Sequence, residues 1–226
     1  MAELYMVATP IGNLEDITLR AVKILKEADV IACEDTRHSK KLLSHLGIQA
    51  RLISCYAAKE AFSAEGIVKL LEQGKSVAYV SDAGTPGLSD PGNLLVSAVR
   101  NAGFAVIPVP GPSAFASLVS ISGFPGRTVI FDGFPSPKQG KRKKRIKELG
   151  ETGEQFLFYE SPHRIVKLLT DIAEILPDRQ ILVGREMTKM YEEYIEGSTE
   201  EVRDIFASRK KLQGEFSVLV SPQKKR

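Results

Sequence analysis

Residues 81–92 constrain the fold of this chain more than any other stretch. They read Ser-Asp-Ala-Gly-Thr-Pro-Gly-Leu-Ser-Asp-Pro-Gly and come directly after the apolar run Val77–Val80. Glycine permits positive φ and close backbone approach, and proline fixes φ, so this composition predicts a shaped loop between a strand and a helix. Open α/β sheets bind ligands at the carboxyl ends of their strands. The segment is therefore a candidate ligand-binding loop, and an ordinary tight turn is the alternative interpretation.

The first half of the chain alternates short apolar runs with amphipathic segments, which predicts a sheet flanked by helices. Capping signals predict that helices begin at Asp16, at Ser39 and at Asp90-Pro91. A second Gly/Pro loop at residues 110–114 predicts another helix, with Ser113 as its cap. The predicted strands are residues 4–8, 30–33, 51–55, 77–80 and 104–109, and a further helix is predicted at residues 58–72.

The second half has short strands joined by fewer helices, which predicts a mixed sheet. We expect the boundary between two α/β domains within residues 111–125, which gives an N-terminal domain at 1–112 and a C-terminal domain at 113–226. The predicted strands are residues 128–131, 155–159, 180–184, 192–195 and 216–220, and the predicted helices are residues 142–150, 162–175 and 199–207.

Charge is unevenly distributed in this sequence. The formal net charge of the 226 residues is only +3, which does not by itself indicate a nucleic-acid partner. Residues 138–147, however, hold seven Lys or Arg and no acid. Pro135, Pro137 and Gly140 predict a loop at the start of this run and a helix from about Arg142. A run of like charge either lies solvated on the surface or meets a polyanion.

Several chemistries are excluded by missing patterns. The sequence has no G-x-x-x-x-G-K-[ST] phosphate loop, no G-x-G-x-x-G fingerprint after the first strand and no G-x-S-x-G nucleophile turn. His38, His45 and His163 lack the spacing of metal ligands, so we expect no metal. Cys33 and Cys55 form no C-x-x-C pattern, and no run reaches the roughly 18 apolar residues of a spanning helix. We therefore expect a cytoplasmic protein with no membrane partner.

Acidic and basic side chains are grouped immediately after three predicted strands. Such groups at neighbouring strand ends predict a shared polar cleft, and salt bridges that only lock loops are the alternative. The three groups are Glu34, Asp35 and Arg37, then Glu160, His163 and Arg164, and finally Arg185, Glu186 and Lys189.

Six motifs in a fixed order carry a resemblance to a known family. They are residues 7–14 with Asp16, Thr18, Arg20 and Ala21, then residues 34–37, 81–92, 110–114, 158–164 and 185–189. Over nearly its whole length the chain resembles the ribosomal RNA small subunit methyltransferase I family of the tetrapyrrole methylase superfamily. The resemblance implies two α/β domains with a ligand cleft between them, and a homodimer. It also implies transfer of a methyl group from S-adenosylmethionine to the ribose 2′-OH of a cytidine in the decoding region of 16S rRNA, in the small ribosomal subunit.

The resemblance further implies which residues hold the methyl donor. A sulfonium cofactor requires a carboxylate, accessible backbone groups and apolar walls, but neither a metal nor a phosphate cradle. Asp82 is the first choice for the carboxylate. The loop at residues 8–12 is less Gly-rich than is common in the superfamily, which is typical of its RNA branch and disfavours a porphyrin-like substrate. The implied donor-binding residues are Thr9, Pro10, Asp82, Gly84, Thr85, Ser113, Ala114 and Phe158 or Tyr159.

A proton acceptor and RNA contacts complete the expected site. Methyl transfer depends mostly on alignment, although a side chain can take the proton of the hydroxyl. The candidates for this base are Asp35, Glu160, His163, Glu186 and Lys189, with the last two slightly favoured because an acid and a base lie three residues apart. The expected RNA contacts are Arg37, Arg164, Lys138, Lys141, Arg142, Lys143, Lys144 and Arg145.

Two other functions stay open on the sequence. One is a methylase of the same fold that acts on a tetrapyrrole or a protein side chain, and the other is a donor-binding or RNA-binding protein without catalysis. A tetrapyrrole enzyme would not need the basic run, and a pure RNA binder would tolerate the loss of Asp82.

Overall fold

The computed structural model of the protein describes residues 2–56 and 60–223. The chain divides into two compact units, Met1–Ser113 and Ala114–Arg226, and each unit contains one five-stranded sheet. Both units combine strands with helices, which confirms the predicted α/β class. Within the described ranges, no helix is long and apolar enough to cross a membrane.

The first unit is built around a parallel sheet. Its strands are β1 (Glu3–Val7), β2 (Val30–Cys33), β3 (Leu52–Ser54), β4 (Val77–Val80) and β5 (Ala105–Val109), in the order β3-β2-β4-β1-β5. Its helices are α1 (Leu19–Glu27), α2 (Thr36–His45), α3 (Glu60–Glu72) and α4 (Asn93–Asn101). Alternate residues of β2 enter two separate apolar clusters, so this sheet is buried on both faces, as parallel sheets are.

The strand predictions for this unit are confirmed to within one residue at each end, but two helix starts were wrong. Asp16 lies in a 3-10 turn, and α1 is capped by Thr18, whose Oγ1 accepts a backbone N–H at 3.0 Å. Ser39 is buried inside α2, which is capped by Asp35. Several short polar residues compete for each cap, and only the surrounding packing decides which one is used. Residues 58 and 59 of the predicted 58–72 helix lie outside the described residues.

The second unit is built around a mixed sheet, as predicted. Its strands are β6 (Val129–Gly133), β7 (Gln155–Glu160), β8 (Gln180–Arg185), β9 (Glu193–Ser198) and β10 (Phe216–Val220), in the order β6-β7-β10-β8-β9. Only β6 and β7 are parallel among these pairs. Its helices are α5 (Ala114–Ile121), α6 (Gln139–Glu151), α7 (Ile165–Ile175) and α8 (Thr199–Ala207).

The basic run of this unit begins its helix earlier than the sequence predicts. Helix α6 starts at Gln139, so Gly140 is helical and the predicted loop was wrong. The guanidinium of Arg142 lies within 3.3 Å of the Ser136 carbonyl and 3.4 Å of the Pro137 carbonyl, and donates to both. These bonds fix the chain just before the helix, and a tertiary contact therefore overrides the weak helix propensity of glycine.

Candidate functional site

Loops from three neighbouring strands meet at the carboxyl edge of the first sheet. Strands β4, β1 and β5 are adjacent and parallel, so residues 81–92, 8–12 and 110–113 leave the sheet at the same edge. The prediction that both Gly/Pro loops follow strands of one sheet is confirmed. This is the edge at which open α/β sheets bind ligands.

Hydrogen bonds hold these loops against one another. Thr9 and Gly84 exchange two backbone bonds, with N···O distances of 2.9 and 3.0 Å. The Thr85 hydroxyl donates to the Pro112 carbonyl at 3.1 Å. The three loops therefore form one bonded assembly rather than three independent turns.

Glycines shape the 81–92 loop as the sequence predicts. Gly84, Gly87 and Gly92 have φ angles of 78°, 80° and 133°, which side chains rarely permit. A Cβ on Gly92 would also lie 2.9 Å from Cε of Met6 and 3.3 Å from the Tyr79 ring. Gly92 is thus required by its backbone conformation and by the space around it.

The helix after this loop is capped by a side chain from another helix. The prediction that Asp90-Pro91 opens it was wrong, because α4 begins at Asn93 and its cap residue Gly92 has no side chain to offer. Instead, Oε1 of the buried Glu60 accepts three backbone N–H bonds at the start of α4, at 2.9, 2.9 and 3.1 Å. The carboxylate also faces the positive end of the helix dipole. Sequence reasoning missed Glu60, because no local pattern connects it to a helix that begins more than 30 residues later.

Carboxylates crowd the edge between β2 and β4. Asp82 is exposed, and its Oδ1 accepts the backbone N–H of Asp35 at 3.2 Å. Burial, together with the charges of Asp82 and Asp90, raises the pKa of Glu34. Hydrogen bonds from the Arg37 side chain and backbone lower the pKa of Asp35 to about 2. The edge therefore carries negative charge, which suits a cationic ligand.

Two hydroxyl groups at this edge are buried without a hydrogen-bond partner among the described residues. They are Thr9 Oγ1 and Ser113 Oγ, on the loops after β1 and β5. The predicted cap by Ser113 was therefore wrong, since its hydroxyl makes no bond to α5. A buried hydroxyl without a partner costs free energy, and native proteins keep few of them. Both hydroxyls are thus candidates for bonds to a ligand.

The other donor-site residues of this unit lie on the same loops. Pro10 and Gly84 are buried, and Thr85 is half-buried. Ala114 is the first residue of α5 and begins the second unit. The structure therefore brings the predicted donor loops of the first unit together, and it shows which of their side chains already have protein partners.

Phe158 and Tyr159 point to opposite faces of β7. Phe158 is fully buried in the core of the second unit, where its ring packs 5.5 Å from that of Phe156, so its predicted role in lining the donor was wrong. Tyr159 is half-buried, and its hydroxyl accepts the Phe115 N–H at 2.8 Å. Period-2 alternation puts only one of two consecutive residues on a given face.

Glu160 ends β7 as a buried carboxylate. Its Oε1 accepts from the Ser161 N–H and from the Arg164 guanidinium, both at 2.7 Å. Its Oε2 is buried and has no partner among the described residues. His163 lies exposed beside this pair. Arg164 is thus bound to a carboxylate and is not a free cation for RNA.

Glu186 and Lys189 are joined to each other and to the segment before β10. Lys189 Nζ donates to Glu186 Oε1 at 3.1 Å and to Glu215 Oε2 at 3.0 Å, and Glu186 also accepts the Glu215 N–H. Burial opposes both charges, but these bonds lower the pKa of Glu186 and raise that of Lys189. A protonated amine is no base, and a carboxylate whose pKa is lowered is a weaker one, so the geometry favours the loop-locking interpretation for this pair.

Arg142 is a structural residue of the second unit. It is 3% exposed, and its Nε donates to Asp171 Oδ2 at 2.7 Å. The prediction that it contacts RNA was wrong, because the guanidinium is enclosed and already paired with a carboxylate.

Most other charges of the 138–147 run are paired as well. Lys138 and Lys141 have no carboxylate within 4.0 Å in the part of the chain that the structure describes. The pairs are Lys143 with Glu174 at 2.6 Å, Arg145 with Asp132 at 2.6 Å, Lys144 with Glu148 at 4.0 Å and Lys147 with Glu151 at 4.0 Å.

Metal and disulfide chemistry have no arranged site in residues 2–56 and 60–223. No group of three or more His, Cys, Asp or Glu side chains could hold a metal ion there. Cys33 and Cys55 are free and buried, and burial raises the pKa of both thiols, that of Cys55 to about 11.

Comparison with known proteins identifies close relatives. Residues 3–203 match the family model of the tetrapyrrole (corrin/porphyrin) methylases. A protein from Borrelia garinii subsp. bavariensis named ribosomal RNA small subunit methyltransferase I is 51% identical over 96% of this chain and 98% of its own length. Proteins of the same name from Thermotoga maritima and Neisseria meningitidis serogroup B are 44% and 43% identical, over 98% and 97% of this chain and 99% and 76% of their own lengths.

Two solved structures share the fold at low sequence identity. Uroporphyrin-III-C-methyltransferase from Thermus thermophilus superposes with a TM-score of 0.68 at 18% identity, over 98% of this chain and 94% of that one. A cobalt precorrin-4 methyltransferase gives a TM-score of 0.70 at 16% identity, over 97% and 94% of the two chains. At this identity the likeness describes the fold alone.

Proposed function

Because this chain belongs to the ribosomal RNA small subunit methyltransferase I family of the tetrapyrrole methylases, we propose that it methylates 16S rRNA. The methyl donor is S-adenosylmethionine, and the acceptor is the ribose 2′-OH of a cytidine in the decoding region. The names of the full-length relatives support the rRNA substrate. The 2′-OH as the methylated group and a cytidine of the decoding region as the nucleotide are proposed on the family resemblance.

The proposed donor site is supported by the groups at the carboxyl edge of the first sheet. It combines the exposed carboxylate of Asp82 with two buried hydroxyls that lack partners among the described residues, Thr9 Oγ1 and Ser113 Oγ. A ligand with a positive charge and several hydrogen-bonding groups fits such a set. These residues would hold the donor, with Asp82 near its positive charge and the hydroxyls bonded to its polar groups.

The protein contributes mainly binding and alignment to the reaction. When bound, the donor supplies a methyl group on a positively charged sulfur, which is already a reactive electrophile. The bonds between Thr9 and Gly84 and between Thr85 and Pro112 fix the loops before any ligand arrives. Such preorganisation can supply roughly 7 to 11 kcal/mol of a reaction barrier.

Among the five candidate bases, Glu160 and His163 each have an atom that could accept a proton, an oxygen in Glu160 and a ring nitrogen in His163. Glu160 Oε2 has no partner among the described residues, and His163 is exposed. Asp35 is a weak base, because its pKa is held at about 2. We therefore assign the proton of the ribose hydroxyl to His163, which is exposed, rather than to Glu160, whose Oε2 is enclosed, or to Glu186 and Lys189.

One labelling experiment tests the proposed reaction. The protein is incubated with S-adenosylmethionine labelled in its methyl group and with either naked 16S rRNA or assembled 30S subunits, and the modified nucleotide is mapped. We expect label on one cytidine ribose. Label on a ribosomal protein of the 30S subunits, with none on rRNA in either incubation, would refute the proposal.

Comparing the methylation of naked 16S rRNA with that of 30S subunits also tests at which stage of ribosome assembly the protein acts.

We propose a cytoplasmic homodimer, as the family resemblance implies. Light scattering of the purified protein tests the dimer, and a mass equal to the 24.8 kDa chain would exclude it.

A further inference from the structure

A second acid-free stretch of the sequence runs through α2 and β3. It extends from residue 36 to residue 59 and holds no Asp or Glu. It is thus longer than the 138–147 run of the other unit. Its basic residues are Arg37, Lys40, Lys41, Arg51 and Lys59, with His38 and His45, and Lys59 lies outside the described residues.

The two stretches differ in how their charges are paired. Lys40, Lys41 and Arg51 have no carboxylate within 4.0 Å in the part of the chain that the structure describes, and Arg37 pairs only with Asp35. In the 138–147 run, by contrast, five of the seven cations are paired with acids. Lys40 and Lys41 on α2 and Arg51 just before β3 therefore carry positive charge without a nearby carboxylate among the described residues, as Lys138 and Lys141 do in the other run.

The basic residues of α2 lie together on its outer face. Arg37, Lys40 and Lys41 are three or four residues apart, and all three are exposed. The inner face buries Ser39 and Leu43. A cavity of about 490 Å³ adjoins Lys40, and Ser44 and Gln49 are among its lining residues. The charged face thus has a concave, partly polar margin.

Helix α2 begins at the candidate donor site. Its cap residue Asp35 donates its backbone N–H to the carboxylate of Asp82. In a parallel sheet the helix after a strand runs back along it, so the first turns of α2 lie nearest the carboxyl edge. Arg37, Lys40 and Lys41 occupy these first turns.

We propose that the outer face of α2 binds the phosphate backbone of the RNA substrate. This inference rests on the proposed function and names the surface that receives its substrate. Lys and Arg side chains neutralise phosphates without reading the base sequence, and each contact releases counterions. A backbone held on α2 passes directly beside the loops that hold the donor, so this surface would position a nucleotide as well as attract it.

The test compares two double variants of the full-length protein across a salt series with naked 16S rRNA. Lys40→Ser with Lys41→Ser removes two free charges from α2. Lys23→Ser with Lys26→Ser removes two positive charges from α1, where Lys23 pairs with Glu27 at 4.0 Å and Lys26 is in the last turn, far from the carboxyl edge. The α2 variant should bind RNA about tenfold more weakly at low salt, and its log-log salt slope should fall by about 1.5. The α1 variant should match the wild type in both.

Three results would overturn the inference. They are equal slopes for wild type and the α2 variant, equal losses in both double variants, and a loss seen with 30S subunits but not with naked rRNA, which would indicate contact with a ribosomal protein. Methylation of rRNA by the wild type is measured separately. If the wild type labels rRNA and the slopes are equal, only this inference fails, whereas a wild type that never labels rRNA contradicts the proposed function.

Discussion

The carboxylate of Asp82 accepts the backbone N–H of Asp35 at 3.2 Å, so one side chain joins the ends of two neighbouring strands. Asp82 follows β4, and Asp35 follows β2 and caps α2. The residue assigned to the donor is therefore also the residue that fixes the start of the basic helix. The proposed donor site and the proposed RNA-binding surface are therefore adjacent at this point.

Replacing Asp82 by Ala should weaken binding of S-adenosylmethionine. A hydrogen bond to a charged partner contributes about 1.5 to 3 kcal/mol, which corresponds to roughly 10- to 150-fold in the dissociation constant. Isothermal calorimetry measures the change. Asp29→Ala is the matched control, because Asp29 bonds Ser76 before β4, at the opposite edge of the sheet. Unchanged affinity in the Asp82 variant would remove this residue from the site.

The buried hydroxyls offer a prediction that separates binding from stability. Thr9→Val and Ser113→Ala each remove an oxygen that has no partner among the described residues, so neither should lower the unfolding temperature. Both should weaken donor affinity. Thr18→Val is the control, since it removes a helix cap that is worth about 1 kcal/mol and should leave donor affinity intact. A loss of stability without a loss of affinity would mean that these hydroxyls are structural.

Glu60→Ala should destabilise the first unit. It leaves three backbone N–H groups at the start of α4 without their acceptor, so the free energy of unfolding should fall by at least about 2 kcal/mol in urea titrations. Glu60→Gln keeps an oxygen acceptor and should recover part of this loss. The exposed Glu65 on the same helix provides the control, with a change within about 0.5 kcal/mol on replacement by Ala. Equal stabilities of the two Ala variants would contradict the cap.

Arg142 should affect stability and not RNA binding. Arg142→Ala removes the 2.7 Å ion pair of the buried Asp171 and leaves it Gln139 at 3.1 Å and Lys143 at 3.9 Å, so the cost should approach the value of about 3 to 5 kcal/mol typical of breaking a buried pair. Replacing both residues, as Arg142→Met with Asp171→Leu, should restore most of the stability, because apolar side chains can substitute for a buried ion pair. If the folded double variant binds rRNA with a lower salt slope than the wild type, Arg142 is an RNA contact after all.

The Glu186–Lys189 pair should show itself in the pH dependence of stability. Because the pKa of Glu186 is lowered in the folded protein, its carboxylate adds to the free energy of unfolding above the unfolded-state pKa of about 4.3. This stabilisation is lost as the pH falls through the folded-state pKa. Because the pKa of Lys189 is raised in the folded protein, its ammonium group adds to the free energy of unfolding below about pH 10.4. This stabilisation is lost as the pH rises through the folded-state pKa. Glu186→Gln should therefore be less stable than the wild type at pH 7, and this difference should shrink as the pH falls below about 4.3, by urea unfolding.

Turnover of the same variant decides the role of the pair. A purely structural Glu186 predicts that the folded Glu186→Gln protein keeps its methyl-transfer rate at saturating donor. Full stability at pH 7 combined with lost turnover would return this residue to the candidate bases.

The sequence predicted what depends on local pattern. Strand positions followed from apolar runs, and the 81–92 loop followed from its glycines, whose positive φ angles the structure confirms. Features that join distant segments were missed or misread. Glu60 caps a helix 32 residues on, and Arg142 bonds an aspartate 29 residues away. Nothing in the spacing of either residue indicates its partner, and so a buried cap was overlooked and a structural arginine was assigned to RNA.

The same distinction applies to the basic surfaces. Counting charges favoured residues 138–147, because they are dense in Lys and Arg. Acids on other elements determine instead which cations stay unpaired, such as Asp132 on β6, which pairs with Arg145, and Glu174 on α7, which pairs with Lys143. Only the folded arrangement shows that Lys40 and Lys41 of α2 have no carboxylate within 4.0 Å among the described residues.

The strand order of the first unit has a consequence for synthesis on the ribosome. Strand β1 emerges first, yet it pairs only with β4 and β5, whose residues are made much later. Strands β2 and β3 are neighbours in both sequence and sheet, so they can pair while β1 still waits. The nascent chain must carry an unpaired apolar strand until Val77–Val80 has left the exit tunnel, and slow, long-range pairing of this kind exposes a chain to aggregation. Chaperones that bind unpaired apolar strands should therefore contact β1 until β4 has been made.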